Sequence, residues 1–264
     1  MVDSFPRQRP QQRAGPAGDS ASREAIERSL AATANDVLLA LARNPGLLDR
    51  DLLRLLERKD LSSEIVQELA KHPEAQGNYR VLLALACHPK TPRTVSLRVL
   101  KFLYLFDLLR VAQTAAVPRD VRVAAEEAIL KKLEGMPRGE KLSLAKRGTG
   151  RLAAQLLISE DPEMVRAALQ NPYLTEAHLL KVLAHDDLPA TVVELVAGHA
   201  RWSHCYHLRL ALIRNPLTPL AKVLTFLPEM AVPDLRDICV DRRMPGSVRK
   251  YVLAHCRARL SGTR

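Results

Sequence analysis

The sequence predicts an all-α fold, an α-solenoid of about five repeats of roughly 44 residues with up to three helices each. Three observations carry that expectation. The apolar content is Leu, Ala and Val, and aromatics make up only 4% of the chain, a mix that favours helix over strand. Proline recurs in matching contexts at Pro45, Pro89, Pro137, Pro172 and Pro216, at intervals of 44, 48, 35 and 44. Apolar residues keep fixed distances from those prolines, and the distances are helical.

The helix before each proline comes first. Four residues upstream stand Leu41, Leu85, Leu133, Ala168 and Leu212, and eight upstream stand Val37, Val81, Ile129, Met164 and Leu208. A spacing of four marks one helix face. A residue preceding proline is pushed out of the α region, so each helix ends there. In RNPLTPLAKVL (214–224) the stop at Asn215 is followed by Thr218, read as the next N-cap, and by Pro219, read as its first turn. HPKTP (88–92) repeats the pattern, NPYLTE (171–176) shifts the Thr, and NPGLLD (44–49) offers Asp49 as the cap.

The second helix follows the turn. Eight residues past the proline lie Leu53, Leu97, Ala145, Leu180 and Leu224, with further apolar residues ten and eleven past it. The Pro137 copy carries Arg147 and Gly148 at those last two places and is the degenerate one. A third apolar segment completes each repeat: SSEIVQELAKH, LFDLLRVAQT, TGRLAAQLLISE, LPATVVELVAGH and VPDLRDICV. A unit this small cannot bury its own apolar faces, so neighbours must stack into a continuous core.

Residues 1–22 are rich in Pro, Gln, Arg, Gly and Ser. Such a stretch cannot offset its ordering entropy by burial and is expected to be a disordered tail. Residues 23–264 are expected to form one solenoid domain ending in a basic capping helix. No apolar run reaches the length of a membrane span, and the N-terminus has no apolar centre of the kind a secretory signal needs. Four cysteines without a CxxC pair (Cys87, Cys205, Cys239 and Cys256) read as free thiols in a reducing compartment. The chain is therefore expected to be cytoplasmic and monomeric.

A helix ending in Asn-Pro, a short turn with Thr or Thr-Pro, and then a leucine-rich helix resembles the bacterial leucine-rich repeat variant family. Three helices in a longer period are closer to armadillo and HEAT repeats. The resemblance covers roughly residues 30–260 and implies a right-handed α-solenoid, with no activity attached. Some variant-repeat proteins carry an N-terminal cysteine cluster for an iron–sulfur centre. Here no cysteine precedes Cys87, so that cluster is not carried over and no cofactor is expected.

Candidate sites are few. WSHCYH (202–207) brings His204, Cys205 and His207 together, but a zinc site needs three or more protein ligands. RGTGR (147–151) could cradle a phosphate, yet Gly148 as a C-cap and Thr149 as an N-cap explain it. No catalytic set, cofactor site or metal site is assigned. Net charge is +11, and residues 242–264 hold seven cations and no carboxylate. Arg242, Arg243, Arg249, Lys250, Arg257 and Arg259 form the candidate anion or partner patch, on a helix whose apolar stripe is Val248, Val252, Cys256 and Leu260. The same cations also suit a solubilising terminal cap. The functional expectation is a non-enzymatic scaffold for a protein or peptide. The alternative is HEAT-like nucleic-acid binding through the basic C-terminal end.

Overall fold

Frequent proline, Asn and His turns cut this chain into short helices, and in the computed structural model every regular element among the described residues is helical. The structure describes residues 18–241 and 246–261, with side chains over 23–241 and 249–259. The expected tail lies largely outside them. The first described helix opens at Gly18, inside the stretch read as tail. Helices that follow one another in sequence pack on one another, consistent with an α-solenoid. No helix among the described residues is long and apolar enough to cross a membrane.

The chain divides into two compact units, residues 1–132 and 133–264. Unit 1 carries α1 (Gly18–Leu30), α2 (Asn35–Ala42), α3 (Asp49–Glu57), α4 (Ser63–Lys71), the one-turn α5 (Pro73–Gly77), α6 (Tyr79–Cys87), α7 (Arg93–Leu100), α8 (Leu105–Gln113) and α9 (Arg119–Leu130). Unit 2 carries α10 (Arg138–Arg147), α11 (Gly150–Leu157), α12 (Pro162–Leu169), α13 (Glu176–Leu183), α14 (Ala190–Gly198), α15 (Tyr206–Arg214), α16 (Leu220–Phe226), α17 (Val232–Val240) and α18 (Gly246–Ser261). All five segments expected as third helices are helical: α4, α8, α11, α14 and α17.

The two units are copies of one pattern. Helices α2 and α12, α4 and α14, α6 and α15, and α8 and α17 begin and end 127 residues apart. Residues 44–133 laid on residues 171–260 without a gap give 26 identities, which makes the shared boundaries a duplication rather than a coincidence of leucine content. The proline at 137 belongs to neither copy of the pattern. It stands just past the boundary between the units, and for that reason its neighbourhood breaks the repeat.

Stacking follows a different period from the prolines. Within unit 1, α1 packs on α3, α2 on α4, α6 on α8 and α7 on α9. In unit 2, α10 packs on α12, α11 on α13, α12 on α14 and α13 on α15. Second neighbours therefore stack, and a helix pair is the physical unit. Turn-to-turn hydrogen bonds keep that spacing. His72 Nε2 meets the Asn44 carbonyl at 3.2 Å, and Arg58 donates to the carbonyls of Leu30 and Ala32 at 3.0 and 2.7 Å. His88 Nε2 meets the Arg58 carbonyl at 2.8 Å. The turn at Pro45 thus stacks on the one at Pro73, and the turn at Pro89 on the one at Arg58. The aligned prolines Pro45 and Pro89 stand three turns apart, while packing joins every second turn.

Upstream of the prolines the expected face is buried at Leu41, Leu85, Ala168 and Leu212, and at Val81, Ile129, Met164 and Leu208. Val37 is exposed and Leu133 half-buried. Downstream the register shifts by one. The buried residues are Leu52, Ser96, Leu144, Leu179 and Val223, seven past the proline; eight past it Ala145 is buried as expected, while Leu53, Leu97 and Leu180 are half-buried and Leu224 is exposed. Positions seven, ten and eleven form an i, i+3, i+4 stripe, which is the set one helix face can bury; position eight falls beside it.

The caps also differ from expectation. Thr91 and Thr218 do not cap the following helix. Their hydroxyls donate at 2.6 Å to the carbonyls of Leu85 and Leu212, closing the helix behind them. Pro92 and Pro219 occupy the N-cap positions themselves, and Leu48 rather than Asp49 is the N-cap of α3. A buried threonine between two helix ends has two possible clients, and the orphan carbonyl behind it is nearer. Thr175 and Thr149 do accept from the N–H groups of His178 and Leu152, as expected of N-caps.

Candidate partner-binding surface

The turn residues show how each end of the stack is held. Asn44, Asn171 and Asn215 accept through Oδ1 from the backbone N–H two residues on, at 2.9, 2.8 and 2.9 Å. His72, His88 and His199 do the same through Nδ1, at 3.3, 3.2 and 3.2 Å. Histidine thus mimics the Asx turn. Its Nδ1 lone pair must face the N–H, which places the proton on Nε2; at His72 and His88 that proton faces the carbonyls of Asn44 and Arg58. Burial pushes the His88 imidazole below its ordinary pKa, and burial beside Arg201 does the same at His199. Asn171 is fully buried and donates to the carbonyls of Ala145 and Gly148 at 2.8 and 3.0 Å. These polar groups are structural.

The tempting clusters resolve the same way. His204 Nδ1 meets Arg209, Cys205 Sγ donates to the Arg201 carbonyl at 3.9 Å, and His207 meets Glu176 at 3.3 Å. They point at three different neighbours, and among the described residues no group of three or more His, Cys, Asp or Glu is placed to hold a metal. Burial raises the Cys205 pKa. In RGTGR, Gly148 is the C-cap of α10. A side chain at Gly150 would collide with the Tyr173 carbonyl and the His178 ring, so this glycine serves a close approach between helices.

Of the C-terminal patch, Arg242 and Arg243 lie outside the described residues. Lys250 is exposed and sits 4.8 Å from the Tyr251 ring. Arg257 is exposed and Arg249 half-buried. Arg259 donates to the carbonyls of Pro228 and Met230, clamping a turn as Arg58 does in unit 1. Val252 and Cys256 of the expected stripe are fully buried; the side chains of Val248 and Leu260 lie outside the description. Burial and a hydrogen bond with Cys239 push the Cys256 thiol up to about 12.

Sequence reasoning missed one surface. Phe102, Tyr104 and Phe106, around the α7–α8 turn, are 57%, 58% and 53% exposed, while Leu103 between them is buried. The signal was the crowding itself. The chain has four Phe, five Tyr and one Trp, and Tyr79 and these three fall within 28 residues. A search for helical periodicity scores such residues as core.

Compared with models of known families, with curated proteins and with solved structures, the chain matches nothing in any of the three.

Proposed function

We propose that the chain is a non-enzymatic scaffold that holds a protein or peptide partner on a curved, right-handed α-solenoid surface of the leucine-rich repeat variant and HEAT-like kind, working as a cytoplasmic monomer. The duplication carries this reading. Each copy is a stack of helices, and extended surfaces are what stacked helical repeats use for recognition. The turn histidines and asparagines support it too, because their hydrogen bonds are spent within the stack. Large exposed side chains such as Phe102, Phe106, Tyr173 and Tyr251 remain for contact.

The test is affinity capture with the full chain as bait from a host lysate, with and without nuclease. The reading expects a protein partner retained under both conditions. Loss of all captured protein on nuclease treatment, with nucleic acid recovered instead, would overturn it in favour of the basic C-terminal end.

A further inference from the structure

We propose that the α7–α8 turn of unit 1 is the docking site for an acidic peptide segment with a large apolar anchor, presented by a partner protein. This deepens the scaffold reading and rests on it. The site comprises Phe102, Tyr104 and Phe106 with the flanking cations Arg98, Lys101 and Arg110.

The turn is built before any partner arrives. Tyr79 Oη accepts from the Tyr104 N–H at 3.0 Å and donates to the Asp107 carboxylate. The Tyr79 and Tyr104 rings lie 4.8 Å apart between centroids, tilted by 39°. Leu103 is buried beneath. Held this way, the backbone that carries the exposed rings, and the Tyr104 ring itself, are ordered before binding, which is what preorganisation contributes to affinity.

Unit 2 supplies an internal control. Tyr206 Oη accepts from the Ala231 N–H at 3.0 Å and donates to Asp234, and Met230 is buried where Leu103 stands. The framework is the same. Yet the three aromatic positions hold Glu229, Ala231 and Pro233, and the three cation positions hold Thr225, Pro228 and Asp237. The unit 2 turn therefore stands with neither aromatics nor cations at those six positions, held instead by Tyr206 and by Arg259, which donates to the Pro228 and Met230 carbonyls. Six surface residues with one shared chemistry are confined to unit 1.

Charge decides the occupant. Arg110 stands four residues after Phe106 on α8, so that cation and ring share a helix face; Arg98, in the last turn of α7, stands four residues before Phe102 in the turn that follows. All three cations are exposed, and the one carboxylate in the segment, Asp107, is engaged by Tyr79. Aromatic anchors beside arginine are the usual energetic centre of a protein interface, and a positive rim selects an acidic partner. A nucleic-acid strand fits less well, because its backbone needs a continuous basic track. On the neighbouring groove between α7 and α9, Arg93 pairs with Asp120 at 2.8 Å and Glu127 joins the lining, so carboxylates would meet the phosphates.

The experiment selects a displayed library of random dodecapeptides on the full chain. Enriched peptides are then measured by fluorescence polarisation against wild type, F102A/Y104A/F106A and R98E/K101E/R110E. Enriched peptides are expected to carry Asp or Glu around a Phe, Trp or Leu, and both variants are expected to weaken them at least about tenfold. The charge variant carries the test if the aromatic one melts early. Neutral or basic peptides, or acidic ones bound equally by both variants, overturn the site and leave the scaffold reading intact. No enrichment at all overturns the site as well, and tight binding of a labelled twelve-nucleotide single strand in its place would take the scaffold reading with it.

Discussion

Unit 1 and unit 2 bury the same positions with different polar chemistry. Ile65, Val66, Leu69 and Ala70 on α4 are matched by Val192, Val193, Val196 and Ala197 on α14, all buried. Under that shared core the pairs diverge. In unit 1 Arg23 on α1 forms a bidentate ion pair with Asp51 on α3, which is fully buried. At the matching places unit 2 has Gly150 and His178, and the ring fills the space the glycine leaves. Asp51 and His178 nonetheless do one job alike: each accepts from its helix N-cap N–H, from Leu48 at 3.0 Å and from Thr175 at 3.3 Å. The capping contact persisted through divergence, while the partner on the preceding helix changed along with it. Core volume and helix ends constrain a copied unit; the pairs between them drift together.

The largest effect tests whether the two cores are equivalent. Leu85→Asp and Leu212→Asp each bury an unpaired carboxylate at matching sites that are 1% and 0% exposed. Each should cost more than about 4 kcal/mol. Thermal melts in which one is severe and the other harmless would break the equivalence.

A smaller effect tests the drifted pair. Burial alone would raise the Asp51 pKa, but hydrogen bonds from Arg23 and the Leu48 N–H more than reverse it and hold the carboxyl below its ordinary value. Arg23→Ala strands that charge and should cost about 3 to 5 kcal/mol. The double change R23G/D51H installs the pair found in unit 2 and should cost less than Arg23→Ala alone, measured by urea denaturation. A double variant as unstable as the single one would show that the pairs are not interchangeable solutions.

The smallest effect is pH dependence. Because burial holds the folded-state pKa of His88 below its unfolded value, its contribution is complete above the unfolded value, near 6.5, and fades as pH falls below it. Protonation also removes the Nδ1 acceptor that Lys90 N–H uses. Stability should therefore drop between pH 7 and pH 5. His88→Asn, which places the residue unit 2 carries at Asn215, should flatten that drop by roughly 1 kcal/mol. An unchanged pH profile in the variant would remove His88 as its source.

The turns were legible because proline acts locally. It ends one helix and begins the next whatever surrounds it, so Asn215–Pro219 could be read from covalent geometry alone. The threonine caps were not, since Thr218 chooses between two helix ends by which one is nearer in the folded turn. The duplication was hidden for a related reason. Aligning on prolines picked out the 44-residue interval within each unit and split the 127-residue displacement into that interval and two irregular steps, of 48 and 35, through Pro137. The aromatic turn was missed because exposure is not a property of composition. Phe106, inside the expected third segment LFDLLRVAQT, reads as core until Leu108 and Leu109 of that segment are seen to fill it.

By itself, the sequence determined that this chain favours helix, where helices stop at the proline turns, and most of the residues that face inward upstream of them, Val37 and Leu133 excepted. Those outcomes follow from propensity, ring closure at proline and the 3.6-residue period, all of which act over a few residues. Tertiary structure decided which helices stack, which of two helix ends a threonine serves, how Arg23 and Asp51 find each other, and which aromatics remain outside. The stacking contacts and the Arg23–Asp51 pair join residues some 28 apart in the chain, and the threonine contact spans a folded turn; no rule of helical period or propensity carries that information.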